Sequence, residues 1–258
     1  MIKPKVSILM SVYNTELYLE DAIKAVLNET YTDFEFLICD DASTDKSFQI
    51  IEKFACRDKR IKVFRFKQNT GKLSKIHQFL ADQAEGDYII ISYSDDLCMP
   101  YRLELLVEAA QKNPEAVLVY GNLHTRNSDL TKLLDVCGGP YDPFRLFLSN
   151  YILNGISLIK KFFFIKAGGY NTNISYAEDF ELRLRLAFEG DFINVNKLVY
   201  IYRFHSGNYT TAKKNMKEEY AFKYVIFKQA EKNVKEALKN EKKLTYKIWV
   251  SLAFCSAY

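Results

Sequence analysis

At 258 residues, 48% of them apolar, the chain has enough hydrophobic surface for one large domain with a substantial core, which excludes a mostly disordered protein. Its formal charge of +4 is local: residues 1–210 balance at −2 and residues 211–258 at +6, and no nucleic-acid-binding motif accompanies that basic end. Five widely spaced cysteines, Cys39, Cys56, Cys98, Cys137 and Cys255, exclude a fully paired disulfide framework and read as free thiols of a reducing compartment.

The opening run MIKPKVSILMSV is too short in apolar residues for a cleavable signal, and no stretch reaches the roughly 20 apolar residues of a membrane span. The expectation is a cytoplasmic protein able to rest on the inner face of the cell membrane, its basic end towards anionic lipid. Residues 6–12 predict a first strand, followed by Asn14 and Thr15 as cap residues and by Leu19, Ile23, Val26 and Leu27 at helical spacing. Residues 34–39 predict a second strand ending in Asp40 and Asp41, and Phe48, Ile51 and Phe54 line one face of the helix after it. A third strand follows over 61–66, a helix over 74–84, and a fourth strand over 88–92 that runs into Ser94, Asp95 and Asp96.

A helix over 102–111 and a strand over 116–120 continue the alternation. Gly138, Gly139, Pro140 and Pro143 then break it into a loop-rich or antiparallel excursion over 121–150. A helical face returns with Phe180, Leu184, Ala187 and Phe188, directly after Glu178 and Asp179. Residues 214–240 read as a long helix rich in Lys and Glu, with a partly apolar end over 248–258. Strands alternating with helices predict an α/β fold: a mostly parallel sheet flanked by helices, carrying a helical C-terminal extension.

An open parallel sheet binds ligands beyond the C-terminal ends of its strands, so the pairs Asp40–Asp41 and Asp95–Asp96 are the candidate ligand-binding acids. Consecutive acids past a strongly apolar strand repel unless solvent or a cation compensates them. Magnesium needs only one or two carboxylates when substrate phosphates complete its shell. Asp41 and Asp45 also have a plain reading as loop or cap residues, because Asp readily satisfies turn amides. Asp179 also has a plain reading as a helix-initiating acid, His205 as a loop histidine and Tyr13 as a cover for the sheet edge. The string Asn69-Thr70-Gly71-Lys72 is too short for the phosphate loop of ATPases.

In their order and spacing, VSILMSVYN (6–14), DDASTDKS (40–47), NTGK (69–72), SDD (94–96), GGY (168–170), AED (177–179) and YRFHSGN (202–208) resemble a family 2 glycosyltransferase with the GT-A fold. The resemblance implies a glycosyltransferase domain over 1–210, with a donor-binding half over 1–100 and an acceptor-side half over 101–210, and leaves 211–258 as a basic helical extension. It implies a nucleoside-diphosphate sugar donor, most often a UDP-sugar, and a glycan or lipid-linked acceptor in bacterial surface polysaccharide synthesis. On this analogy Tyr13, Asp40, Asp41, Lys72 and Tyr93 join Asp95 at the donor. Asp95, Asp96 and His205 face Mg2+ or Mn2+. Asp179 is the general base, Glu178 orients it, and Gly155, Gly169 and Glu178 border the acceptor.

The implied reaction is a single inverting displacement by the acceptor hydroxyl. Two positions depart from the family pattern: Tyr93 stands where the first Asp of the D-x-D element is usual, and His77 where many relatives have Asn. Tyrosine cannot replace a carboxylate at neutral pH, though its hydroxyl can reach a ribose. A catalytically weak nucleotide-sugar or glycan-binding module is therefore one alternative. A nucleotidyltransferase is the other, and it accounts less well for Glu178, Asp179 and residues 202–208.

Overall fold

The computed structural model describes residues 5–208, 216–239 and 246–257. The ends of the helix expected over 214–240, residues 209–213 and 241–245, Tyr258 and the first four residues lie outside the described residues. Four strands, β1 (Val6–Val12), β2 (Phe34–Asp40), β3 (Ile61–Arg65) and β4 (Tyr88–Ile91), pair in parallel in the order β3-β2-β1-β4. Every residue of β1, β2 and β4 is buried, as a sheet covered on both faces requires. The covering helices include α1 (Leu19–Leu27), α2 (Ser47–Ala55) and α3 (Leu73–Gln83). In α1 the buried residues Leu19, Ala22, Ile23 and Val26 recur at the spacing of one helix face.

Beyond β4 the sheet becomes mixed. The next elements are β5 (Leu97–Cys98), α4 (Arg102–Lys112), β6 (Leu118–Asn127), β7 (Leu133–Cys137), α5 (Pro143–Leu148), β8 (Ser157–Lys160), α6 (Lys161–Lys166), α7 (Glu178–Leu186) and β9 (Phe192–Phe204). The order continues β4-β8-β6-β9-β5, with β7 paired to β6 off this path. The β4–β8, β8–β6, β6–β7 and β5–β9 pairs are antiparallel and β6–β9 is parallel. The all-parallel arrangement is thus confined to β3-β2-β1-β4, and the rest of the sheet mixes antiparallel pairs with the parallel pair β6–β9.

The strand expected over 116–120 continues to Asn127. Its register against β9 shifts around Gly121, where a side chain would collide with Val199 at 2.5 Å. Residues 121–150 contain the expected antiparallel element, β7, and the short helix α5.

The described part of the C-terminal extension forms α8 (Met216–Lys239) and α9 (Tyr246–Ala257), and both pack on the core. Phe254 of α9 meets the rings of Phe147 and Phe188 at 4.9 and 5.4 Å, and Phe222 of α8 meets Phe180 edge-on at 5.7 Å. Between the two helices Asn233 Nδ2 donates to Ser251 Oγ at 3.0 Å, both side chains buried. No described helix is long and apolar enough to cross a membrane. All five cysteines are free thiols, and burial pushes that of Cys39 up to about 12, which keeps it unreactive at neutral pH.

Candidate active site

The C-terminal ends of β1, β2 and β4 open on the same side of the sheet, each continuing into a polar turn. After β1, Tyr13 is 47% exposed and Asn14 takes a left-handed φ of 52°. After β2, Ala42 does the same at 62°. These two reversals are stitched together: Asn14 Oδ1 accepts from Thr44 N at 2.8 Å, and Asn14 N donates to Ser43 Oγ at 3.1 Å. Buried Asp40 accepts from Ser43 N at 3.2 Å and pairs with Arg65 at 3.1 Å, while its Oδ1 is buried with no hydrogen-bond partner. Asp41 accepts from Thr70 N at 2.9 and 3.1 Å and from Thr70 Oγ1 at 3.0 Å, which fixes the loop leading to Lys72. Lys72 Nζ in turn donates across the site to Asn173 O at 2.9 Å.

At the end of β4 the two acids diverge. Asp95 Oδ2 meets His205 Nε2 at 3.0 Å and accepts from Asn208 Nδ2 at 3.2 Å, leaving Oδ1 without a hydrogen bond among the described residues. Asp96 turns inward, 1% exposed, and accepts Arg203 N at 2.8 Å. Burial, reinforced by the Asp95 charge, holds its carboxyl well above the usual aspartate range. The partners come from the last residues of β9 and the loop after it. Arg203 Nε donates to Asp95 O at 2.9 Å, and the Tyr18 ring lies 4.6 Å from that of His205.

Asp95 and His205 are therefore brought together, and Asp96 faces the opposite way as a brace for β9. Among the described residues no three His, Cys, Asp or Glu side chains gather to hold a metal by themselves. A carboxylate with one oxygen left without a hydrogen bond and the other held by an imidazole and an amide fits a hard divalent cation that takes its remaining ligands from phosphate and water.

Tyr93 links this turn to the other half of the site. Its backbone N–H donates to the Tyr200 hydroxyl at 2.9 Å, and its own hydroxyl accepts from Asn154 Nδ2 at 3.1 Å. Asn154 Oδ1 accepts from Arg183 Nη2 at 3.0 Å and from the Tyr170 hydroxyl at 3.2 Å. Burial raises the Tyr93 phenol well above its ordinary value, and the charges of Asp179 and Glu178 raise it further, so the phenol stays neutral. The hydroxyl that replaces the expected carboxylate thus lies within the field of the two acids on α7.

Those acids open α7, directly after Ala177 at a left-handed φ of 55°. Asp179 Oδ1 accepts from Phe180 N at 2.8 Å and from Asn150 Nδ2 at 3.1 Å. Burial raises its carboxyl above the ordinary value; Arg183 pulls it down and Glu178 pushes it up again. Glu178 Oε1 stands 3.5 Å from His77 Nδ1, and the other ring nitrogen of this fully buried histidine lies 3.3 Å from Ser11 Oγ on β1. His77, a departure from the family pattern, therefore lies between the first strand and the acid pair, its Nδ1 buried without a hydrogen-bond partner among the described residues.

The two glycines expected beside the acceptor are buried packing positions. A Cβ at Gly155 would lie 2.6 Å from the Tyr200 ring, and one at Gly169, where φ is 67°, would lie 2.4 Å from the Gln78 amide oxygen. The structure adds Asn150, Asn154, Arg183, Tyr200 and Asn208 to the residues expected at the site. Asn208 closes the string YRFHSGN, and Arg183 has a local signal in its spacing of one helical turn from Asp179, whose carbonyl it holds at 2.8 Å.

Comparison with known proteins supplies a context for this arrangement. The sequence model of the family described as Glycosyl transferase family 2 matches residues 7–156. An uncharacterized glycosyltransferase of Haemophilus influenzae is 38% identical over 122 residues, 47% of this chain and 48% of the relative. Chondroitin synthase of Escherichia coli is 27% identical over 222 residues, 86% of this chain but 32% of the relative. The aligned region thus spans about half the length of these curated relatives, or less.

Among solved structures, S. aureus TarS 1-349 in complex with UDP-GlcNAc superimposes with a TM-score of 0.74 at 18% identity, covering 98% of this chain and 71% of the other. The mannosyltransferase PcManGT from Pyrobaculum calidifontis, in complex with GDP-Man and Mn2+, gives 0.63 at 15%, covering 100% and 74%. At these identities the likeness is one of fold: both share the mixed α/β sheet described above.

Proposed function

The chain belongs to glycosyl transferase family 2, and on that premise we propose that it transfers a sugar from a nucleoside diphosphate, a uridine diphosphate sugar by preference, to a hydroxyl of a glycan or lipid-linked acceptor with inversion. The observation that carries this reading is the pairing of Asp95 with His205 at one end of the Tyr93–Asn154–Arg183 network and of buried Asp179 at the other. Asp179 receives the acceptor hydroxyl proton as the acceptor oxygen bonds to the anomeric carbon. The bond from that carbon to the diphosphate breaks, and its electron pair leaves on the diphosphate oxygen. Direct displacement needs no second carboxylate as nucleophile. A divalent cation, Mg2+ or Mn2+, would be held by Asp95 and would supply positive charge against the departing diphosphate. Asn150 holds the Asp179 side chain and Arg183 its backbone carbonyl, and the buried His77 ring stands beside Glu178.

The uridine preference is supported by the UDP-GlcNAc bound to the TarS neighbour, and the cation by the Mn2+ in the mannosyltransferase complex. The test is a panel of UDP-, GDP-, CDP- and dTDP-sugars with and without Mg2+ or Mn2+, read as released nucleoside diphosphate. Release of pyrophosphate instead would make the protein a nucleotidyltransferase. Tight binding without turnover would favour the binding module that Tyr93 suggests. Asp95→Asn is expected to raise the Mn2+ concentration for half-maximal rate by about 10-fold or more. An unchanged metal titration would remove Asp95 from that role.

A further inference from the structure

The segment before Asp179, residues 173–176, is held from two sides. On the donor side Lys72 Nζ donates to Asn173 O at 2.9 Å and Ser74 Oγ donates to Ile174 O at 2.8 Å. On the other side one carboxylate on α8 takes three bonds: Glu218 accepts from Ser175 N at 2.9 Å, Ser175 Oγ at 2.6 Å and Tyr176 N at 3.1 Å. One helical turn further along α8, Phe222 packs on Phe180, and Lys223 Nζ lies 5.0 Å over the same ring while donating to Leu148 O at 3.2 Å. Residues four apart share a helix face, so a single face of α8 brackets Asp179, from Ser175 on one side to Phe180 on the other.

Between these brackets sits Ala177, in a left-handed conformation that a side-chain-bearing residue keeps only when its surroundings over-determine it. That residue sets the direction in which α7 begins, and hence where the Asp179 carboxylate stands. A charged acceptor is the stronger choice for holding two amides and a hydroxyl at once. Glu218 lies well beyond the residues 7–156 that match the family, in the extension that sequence analysis read only as a basic helix.

We propose that Glu218 is a positioning residue for sugar transfer, its carboxylate clamping Ser175 and Tyr176 so that Ala177 delivers Asp179 to the acceptor hydroxyl. The proposal rests on the reading of Asp179 as the base. It makes the C-terminal helix pair part of the acceptor side of the enzyme, in addition to any surface it presents.

The experiment compares Glu218→Gln, Glu218→Ala and Ser175→Ala with Asn233→Ala, which cuts the α8–α9 hydrogen bond to Ser251 without touching the clamp. Amide hydrogen exchange over 173–180 needs no substrate. Glu218→Ala is expected to speed exchange at Ser175 and Tyr176 by about 10-fold or more. With the nucleotide sugar that the panel identifies, its kcat is expected to fall by about 10-fold or more, because a small displacement of a catalytic group is enough for that. Calorimetric binding of UDP with Mn2+ should stay within about twofold, since the donor side is untouched. Glu218→Gln and Ser175→Ala, each keeping part of the bonding, should fall between Glu218→Ala and the wild type.

Wild-type exchange and kcat in Glu218→Ala would overturn the proposal. So would an equal loss of kcat in Asn233→Ala, since general loosening of the helix pair would then explain both. A wild-type chain that releases no nucleoside diphosphate from any donor would refute the parent reading and the catalytic role of the clamp with it. The exchange measurement would still decide the clamp itself, so the two failures are distinguishable.

Discussion

Asp179→Asn is expected to lower kcat for transfer by about 10²–10⁴-fold, the usual contribution of a positioned general base, while UDP binding stays at the wild-type level. The substitution is close to isosteric. The Asn amide oxygen can still accept from Phe180 N and Asn150 Nδ2, the two partners of Asp179 Oδ1, so the position of the side chain is retained and its basicity is lost. Transfer at the wild-type rate with unchanged UDP binding would take the base role away from Asp179.

The pH dependence follows from burial, which raises the Asp179 carboxyl above the ordinary aspartate value against the pull of Arg183. The base is therefore protonated at a pH where an exposed aspartate is already ionised, and activity falls on the acid side as pH drops through this raised value. Stability has the opposite sign. A folded pKa above the unfolded one gives a stabilising contribution that is complete below the unfolded pKa and is lost as pH rises through the folded pKa. At pH 7 the ionised carboxylate costs stability, and Asp179→Asn should melt no lower than the wild type. A clear fall in Tm at pH 7 would show that the ionised form is better accommodated than its burial indicates.

The part of this site most legible in the sequence is the end of each buried parallel strand. Val6–Val12 and Phe34–Asp40 are near-continuous apolar runs, so the polar residues following them mark the ligand-binding edge without further help. Asp95 and Asp96 show the limit of that reading. As letters they are alike, yet the chain turns at Ser94 and Asp95, so the two side chains leave it in different directions. One reaches His205, and the other is buried against the backbone of Arg203. Their difference is set by β9, which carries no clean alternation: its buried, half-buried and exposed residues do not alternate, and Asn196 interrupts it at a φ of 50°.

Asn154 was out of reach for another reason. Its partners Tyr93 and Arg183 lie 61 and 29 residues away in the chain, and no local pattern records such contacts. The C-terminal helices were visible as helices, but the charge that dominates their composition says nothing of Phe222 and Phe254, which dock them on the core.

Behind the site, Arg102→Met is expected to destabilise the fold by about 3–5 kcal/mol, the cost of leaving a buried charge without its partner. Arg102 and Glu29 are both fully buried in their side chains and meet at 2.6 Å. The guanidinium also donates to Gly155 O at 3.2 Å and to Ile91 O at 3.4 Å, while the second Glu29 oxygen accepts from Leu103 N at 2.7 Å. Its carbon lies 5.5 Å from the Tyr200 ring, and the hydroxyl of that ring holds Tyr93 N. One cation thus joins the end of β4, the 3-10 turn Asn154–Ile156, the chain just after α1 and the strand β9, which together form the floor under Tyr93.

A loss of this size corresponds to a fall in Tm on the order of 10 °C for a chain of this length. Methionine fills much of the volume, so the loss comes from the stranded Glu29 carboxylate rather than from a void. Glu29→Gln combined with Arg102→Met should therefore recover part of it, with a coupling of roughly 1 kcal/mol or more in a double-mutant cycle. Denaturant unfolding of the two single variants and the double variant measures this directly. Strictly additive losses would mean that the two side chains stabilise the floor independently, through their separate backbone contacts.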